Sequence, residues 1–170
     1  MATNSNDVIL TSEGKAKLEE ELHYLETVKR DEIGERIRVA REFGDISENS
    51  EYDDAKNEQA FTEQRIAQIN EILSNAQVVD APKRGNKAVI GSTVTLVDAK
   101  GHERTFTIVG GAEADAAAGK ISNESPVGSA LIGAKKGDVV QVTGPTGVVT
   151  EFKIIKISHD GGKKGSKGKE

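Results

Sequence analysis

Residues 52–76 carry an unbroken heptad pattern, and this pattern restricts the fold more than any other feature of the sequence. The pattern positions recur at alternating steps of three and four residues: Tyr52, Ala55, Gln59, Thr62, Ile66, Ile69, Leu73 and Ala76. Such spacing places all of them along one stripe of an α-helix, and a stripe of this length is typical of a coiled coil. The stripe therefore predicts a long helix that packs against a helical partner.

A second helical segment precedes this one and supplies the partner. It begins at Thr11 or Ser12, which are both good N-cap residues, and its stripe is interrupted near Lys29. The apolar positions of the stripe are Leu18, Leu22, Leu25, Ile33, Ile37 and Ala40. Because their spacing matches that of the following segment, the two helices can pack along a shared seam.

The connection between the two helices is short. Gly44 can end the first helix, and Asp45 or Ser47 can begin the second. A turn of this length makes consecutive helices antiparallel neighbours. We therefore expect an antiparallel α-helical coiled-coil hairpin over residues 1–80, with its tip at about residues 43–50.

The second half of the chain has a different composition, rich in glycine and β-branched residues. Short strands are predicted at residues 92–97, 104–109, 138–143 and 148–157. One short helix fits between them, with Ser125 as its N-cap, Pro126 at its first position and Gly133 beyond its end. The prediction is an α+β chain in which residues 81–160 form a small antiparallel sheet domain with one short helix. Residues 161–170, rich in glycine and lysine, are predicted to be a disordered tail.

Charge and cysteine content exclude several classes of function. The net charge is −5, and the tail carries four lysines against one glutamate, so the rest of the chain is more acidic still. A chain with this much negative charge does not bind nucleic-acid phosphates unless it has a local basic patch. The sequence has no cysteine, which excludes thiol catalysis and thiolate metal sites. No apolar run reaches membrane length, so we expect a cytoplasmic protein that does not bind a membrane.

The candidate site lies at the predicted tip, where Asp45 and Glu48 are three residues apart. Two carboxylates at this spacing can face one point, and hard oxygen ligands suit Mg²⁺. Two such ligands do not by themselves make a tight site, but they can complete one that another molecule supplies. The alternative is a capping box, in which Asp45 caps the second helix and Glu48 reaches back to its first turn. The pattern alone leaves both interpretations open.

Cations flank this acidic tip. Arg30, Arg38 and Arg41 lie on neighbouring angles of the first helix, and Lys56 lies two turns into the second. A basic flank can hold an anionic chain while the carboxylates handle a metal ion. The alternative is that these side chains are ordinary solvated helix charges with glutamate partners.

Several motifs together resemble the bacterial Gre transcript-cleavage factors. The segments that carry the resemblance are residues 10–14, 44–52, 55–56 with Gln59, 74–76 with Val78, 119–122, 125–126 and 131–133. They occur in the family's order over nearly the whole chain, so the resemblance is specific. It implies that the C-terminal half is an FKBP-like domain that docks on RNA polymerase at the rim of its secondary channel.

The resemblance also implies a task for the hairpin. It would enter the secondary channel and stimulate the polymerase's own cleavage of backtracked RNA 3′ ends. Asp45 and Glu48 occupy the family's two acidic tip positions, which help to hold a second Mg²⁺ and its attacking water. Arg41 and Lys56 match basic positions that face the RNA. Relatives can carry arginine at the second of these, so the match there is looser.

In this interpretation the chain is not an enzyme itself, binds no cofactor tightly when free, and acts as a monomer on the polymerase and its RNA. The segment comprising Ser125, Pro126, Leu131, Ile132 and Gly133 is predicted to form part of the docking surface. Its alternative role is a helix that covers the core. Two other functions stay open: a channel-binding inhibitor of the same fold, and a free-standing chaperone or isomerase built on the second half.

Overall fold

The computed structural model describes residues 7–44 and 49–159, and the chain divides into two compact units. The described residues of Lys15–Asn75 form a helical unit, and the described residues on either side of this segment form a sheet unit. The division differs from the predicted boundary at residue 80, because the first strand and the start of the first helix belong with the C-terminal half. The lysine-rich tail predicted to be disordered lies outside the described residues.

The helical unit contains three helices, of which two follow one another with a π-helical turn between them. They are α1 (Ser12–Tyr24), the π-helical turn (Leu25–Lys29), α2 (Arg30–Glu42) and α3 (Ser50–Ser74). A π-helical turn inserts an extra residue into the helical repeat. This insertion explains why the apolar stripe of the first segment is interrupted near Lys29.

The described part of the chain contains no helix long and apolar enough to span a membrane.

The seam between α2 and α3 is narrow and made of small and aliphatic side chains. Ile33, Ile37 and Ala55 form its buried cluster, and Tyr52 packs against them. Ion pairs connect the two helices along their flanks: Arg30–Glu63 at 2.7 Å, Arg36–Glu58, and Lys29–Glu58. For the two pairs that start on α2, Arg30–Glu63 and Arg36–Glu58, the partner number on α3 falls as that on α2 rises, so the helices are antiparallel. The predicted hairpin is therefore confirmed, with the heptad positions of residues 52–69 facing its inside.

The sheet unit is built on five strands in the order β5-β4-β3-β7-β6. These strands are β3 (Thr93–Asp98), β4 (Glu103–Val109), β5 (Lys120–Ser122), β6 (Val139–Thr143) and β7 (Val149–Ser158). Three neighbouring pairs are antiparallel, as predicted, but β4 and β5 run parallel, so the sheet is mixed. The prediction missed β5 because three residues carry too little alternation to be distinguished from a loop.

The core of this unit lies between the sheet and the short helix α4 (Pro126–Leu131), which matches the predicted helix. Its fully buried members are Ala88, Val94, Leu96, Ile108, Leu131 and Ile154. The Ser125 hydroxyl caps α4 by accepting from the Gly128 N–H at 3.1 Å, and Gly133 follows the helix at φ +83°. The helix is thus fixed at both ends while Leu131 anchors it to the sheet.

A second, two-stranded sheet joins the start of the chain to the segment that follows α3. Its strands, β1 (Val8–Leu10) and β2 (Ala76–Val78), are parallel. Immediately after β1, the Thr11 N–H and hydroxyl donate to the Glu113 carboxylate at 2.7 and 2.6 Å. Ser12 donates in the same way to Asp80, and these bonds lower the pKa of the Asp80 carboxyl below its ordinary value. The two carboxylates therefore bind donors at the first residues of α1, where helix N–H groups have no partner in their own helix.

A candidate site at the turn of the helical hairpin

The turn begins where α2 ends. Phe43 is the C-terminal cap of this helix, and Gly44 follows it at φ +106°. The Phe43 and Gly44 N–H groups donate to the carbonyls of Ala40 and Arg41 at 3.3 and 3.4 Å. A positive φ is available to glycine without steric cost, so this residue ends the helix as the sequence predicted.

Asn49 closes the other side of the turn. Its side-chain oxygen accepts from the Tyr52 N–H at 3.2 Å, which makes it the N-cap of α3. Its side-chain Nδ2 donates to the Ala40 carbonyl of α2 at 2.7 Å. One amide therefore binds the end of one helix and the start of the next. The prediction that Asp45 or Ser47 begins α3 is wrong, because α3 is capped by Asn49. Asparagine, serine and aspartate cap helices about equally well, so residue type alone does not single out Asn49.

Asp45 and Glu48, the two predicted carboxylate ligands, lie outside the described residues. The N-cap of α3, which the alternative interpretation assigned to Asp45, is Asn49. The capping box of the alternative interpretation therefore does not begin α3. Among residues 7–44 and 49–159, no group of three or more histidine, aspartate or glutamate side chains is placed to hold a metal ion.

The cations of the hairpin fall into two sets. Most of them pair with glutamates, including Arg30 with Glu63 and Arg38 with Glu35 at 2.6 Å. The bonds to Glu35 raise the pKa of the Arg38 guanidinium, and the bonds from Arg38 lower that of the Glu35 carboxyl. For Arg30 and Arg38, the alternative of solvated charges with glutamate partners is therefore the correct one.

Arg41 and Lys56 form the other set. The Arg41 guanidinium lies over the Tyr52 ring, 5.9 Å from its centre, and the Lys56 Nζ donates to the Gln59 Oε1 at 3.0 Å. Within the part of the chain that the structure describes, neither has a carboxylate at ion-pair distance. These are the two cations that the resemblance assigned to RNA, and both retain charge that an anionic ligand can use.

The predicted docking residues around α4 differ in their exposure to solvent. Leu131 is fully buried in the core, so the prediction that its side chain takes part in docking is wrong. The Ser125 hydroxyl donates to the Ser122 carbonyl at 2.6 Å and also caps the helix, which gives it a structural role. Pro126, Ile132 and Gly133 are exposed. Of the predicted docking residues, these three remain accessible to a partner.

Asn49 is the site residue that sequence reasoning missed, and its replacement tests its role. We expect Asn49→Ala to destabilise the hairpin by about 1–2 kcal/mol, because it removes the cap of α3 and leaves the Ala40 carbonyl without this donor. Thermal unfolding of the full chain, followed through helical circular dichroism, measures the change. The control is Asn57→Ala, which changes an exposed asparagine within the same helix. Equal stability of the two variants would contradict the bridging role.

Comparison with known proteins relates both halves of the chain to one family. The sequence pattern described as "Transcription elongation factor, N-terminal" matches residues 8–78, and the one described as "Transcription elongation factor, GreA/GreB, C-term" matches residues 82–159. The chain is 56% identical to the transcription elongation factor GreA of Acetivibrio thermocellus over 159 residues, covering 92% of this chain and 99% of the relative. It is 54% identical to GreA of Listeria welshimeri over 151 residues, covering 88% and 94%.

Among solved structures, the chain is similar to GreA factor homolog 1 (Gfh1) of Thermus thermophilus. The identity is 31%, the alignment covers 89% of this chain and 98% of that one, and the TM-score is 0.38.

Proposed function

Because the chain belongs to the GreA/GreB family of transcription elongation factors, we propose that it stimulates RNA polymerase to cleave the 3′ end of its own backtracked transcript. The chain would act on the polymerase as a monomer in the cytoplasm. The observation that carries the proposal is the turn of the hairpin, where one asparagine, next to the acidic pair in sequence, joins two helix ends. Such a turn can present side chains to another molecule's active centre without a pocket of its own.

The metal part of the proposal depends on donor chemistry. Asp45 and Glu48 supply hard carboxylate oxygens, which fit Mg²⁺, but two ligands are fewer than this ion needs. We therefore assign these residues to an ion shared with the polymerase active centre. When bound, such an ion activates water and stabilises the leaving oxygen in phosphodiester cleavage. The chain's contribution is to bring two negatively charged ligands to that centre between the ends of two paired helices.

The positive charges beside the turn have a separate role in the proposal. Arg41 and Lys56 would contact phosphates of the RNA 3′ segment, because neither is neutralised by a carboxylate in the described part of the hairpin. The stacking of Arg41 on Tyr52 holds its guanidinium against the helix pair. Phosphate contacts of this kind position an RNA strand without reading its sequence.

Docking would use the exposed residues around α4. Ile132 is 41% exposed at the end of this helix, beside the exposed Gly133, and Pro126 is exposed at its start. A partner that covers these exposed side chains would remove apolar surface from water, which favours binding. We propose that this surface binds the rim of the polymerase channel.

The docking proposal predicts a loss of affinity for one variant. We expect Ile132→Ser to weaken binding to polymerase by about tenfold, since about 1.4 kcal/mol of apolar contact would be lost. The cleavage rate at saturating protein should not change, because the hairpin is untouched. Titration of stalled complexes gives both values. The control is Val148→Ser, which removes a valine that is 63% exposed elsewhere in the same unit. Equal affinities of the two variants would place the docking surface elsewhere.

The function itself is tested with purified polymerase stalled in a backtracked complex that carries end-labelled RNA. We expect the protein to accelerate release of 3′ RNA fragments and to restore elongation from the shortened transcript. A channel-binding inhibitor would instead slow both reactions. A chaperone or isomerase would leave them unchanged. The family assignment disfavours both of these alternatives, and the assay distinguishes all three outcomes.

A further inference from the structure

The four phenylalanines of the chain divide sharply by exposure. Phe106 and Phe152 are partly buried and pack against the core of the sheet unit. Phe43 and Phe61, both in the helical unit, are 82% and 72% exposed. A phenyl ring left in water contributes little to folding, because the hydrophobic effect requires burial. Phe43 has the largest exposed fraction among the exposed large apolar side chains of the described residues.

The backbone beneath the Phe43 ring is held on both sides. Its own N–H donates to the Ala40 carbonyl, and the next N–H, that of Gly44, donates to the Arg41 carbonyl. Asn49 from the start of α3 donates to the same Ala40 carbonyl. The ring therefore projects from a turn tied to both helices. An aromatic side chain on such a support loses little conformational entropy when a ligand covers it.

Two cations on the helices that flank this turn indicate what kind of ligand fits. Arg41, two residues earlier, and Lys56, about one helical turn after Tyr52, have no carboxylate at ion-pair distance among the described residues. Proteins that bind single-stranded nucleic acid combine such cations, which contact the backbone, with exposed aromatic rings on which bases stack. A protein partner would use the ring but would not require this arrangement of cations. The combination favours an unpaired nucleotide.

From this we infer that Phe43 is a stacking platform for an unpaired base in the backtracked RNA 3′ segment, and thus a positioning residue for cleavage. The inference rests on the proposed function, because that function brings extruded RNA to the turn. The ring would restrict the movement of the RNA strand while the cations contact its phosphates. Stacking accepts any base because every base has a flat face. The platform therefore adds affinity without sequence preference.

The test compares Phe43→Leu, Phe43→Trp and the matched control Phe61→Leu in cleavage by backtracked polymerase. Leucine keeps apolar area but removes the flat ring. We expect Phe43→Leu to lower the cleavage rate at subsaturating protein by about tenfold. Phe43→Trp should keep or increase the rate, and Phe61→Leu should match the unmodified protein. Because both phenylalanines are exposed, none of these changes should affect folding, which circular dichroism checks.

A second arm identifies the partner of the ring. The extruded nucleotides are replaced one at a time by abasic residues, which keep the phosphate and remove the base. At one position, the abasic RNA should abolish the difference between the unmodified protein and Phe43→Leu. In parallel, 4-thiouridine at that position should form a photochemical cross-link to Phe43. A defect of Phe43→Leu that persists with every abasic RNA would show that the ring contacts polymerase protein, and would overturn the inference.

The outcomes separate this inference from the function on which it rests. Stimulated cleavage by the unmodified protein, together with equal activity of Phe43→Leu, overturns the inference and leaves the function standing. No stimulation by the unmodified protein overturns the proposed function. In that case the cross-link is still read in the stalled complex: its presence at Phe43 supports contact with the base, and its absence overturns that contact as well.

Discussion

Stimulated cleavage is expected to fall by orders of magnitude when Asp45→Asn and Glu48→Gln are combined. Both substitutions keep side-chain size and hydrogen-bonding capacity but remove the negative charges that make carboxylates good Mg²⁺ ligands. Because the N-cap of α3 is Asn49, the helix should begin where it does now and the protein should stay folded. Raised Mg²⁺ should restore part of the activity, since a weaker site fills at a higher ion concentration. Cleavage rates measured across a Mg²⁺ titration test both statements.

The matched control removes two negative charges without touching the proposed ligands. Glu51 and Asp53 are exposed in the first turn of α3, close to the acidic pair in sequence. Glu51→Gln with Asp53→Asn should retain cleavage within about a factor of two or three, because only the helix-dipole interaction and the general charge of the turn change. Near-normal cleavage by the variant that combines Asp45→Asn with Glu48→Gln, or an equal loss in the control, would end the metal hypothesis.

Destabilisation of the sheet unit is the second large effect, and it is expected from Gly128→Ala. A Cβ atom at Gly128 would lie 1.9 Å from the Ser122 carbonyl oxygen and 2.9 Å from its carbon. Both atoms belong to the backbone of β5, so no side-chain rotation relieves the overlap, and α4 must move away from the sheet. We expect a loss of about 3 kcal/mol or more. Urea unfolding of the full chain, followed through the methyl NMR signals of Ile108 and Ile154, reports on this unit.

The same substitution at another helical glycine should have the opposite sign. Gly34 lies inside α2, and a Cβ atom built there meets nothing within 4 Å. Gly34→Ala should stabilise the hairpin by up to about 1 kcal/mol, because alanine has the higher helix propensity. If Gly128→Ala proved as harmless as this control, then α4 would not pack on β5 as closely as the structure shows.

The hairpin was predictable because its determinants are local and repeated. The heptad positions on α3 face its partner helix, and residues such as Ile66 and Ile69 are buried where the spacing places them. The strands with clear β-branched runs were also found close to their observed bounds. In each case many residues carry the same signal, so one misread position does not change the outcome.

The misses come from features that depend on distant parts of the chain. By residue type, Asn49, Asp45 and Ser47 are equally good N-cap candidates, and the bond from Asn49 to the Ala40 carbonyl of the opposite helix is a tertiary contact that the sequence does not show. Leu131 was predicted at a docking surface, but its burial is set by the strands beneath α4. At the candidate site, the roles of Asp45 and Glu48 in cleavage come from the family resemblance. The exposure of Phe43 could not be predicted from the sequence and is known from the structure.

The strand β1 was also missed, because the strand with which it pairs lies far along the chain. This pairing has a consequence for folding during translation. Val8–Leu10 leave the ribosome before the other described elements, because β2 follows about seventy residues later and Glu113 is 102 residues from Thr11. At ordinary rates of synthesis the residues up to β2 take about 4–14 s to make, whereas helices form in microseconds. The hairpin can therefore form during translation while β1 waits unpaired. Nascent chains that end before β2 would display this apolar strand to chaperones and proteases, and its pairing with β2 hides it.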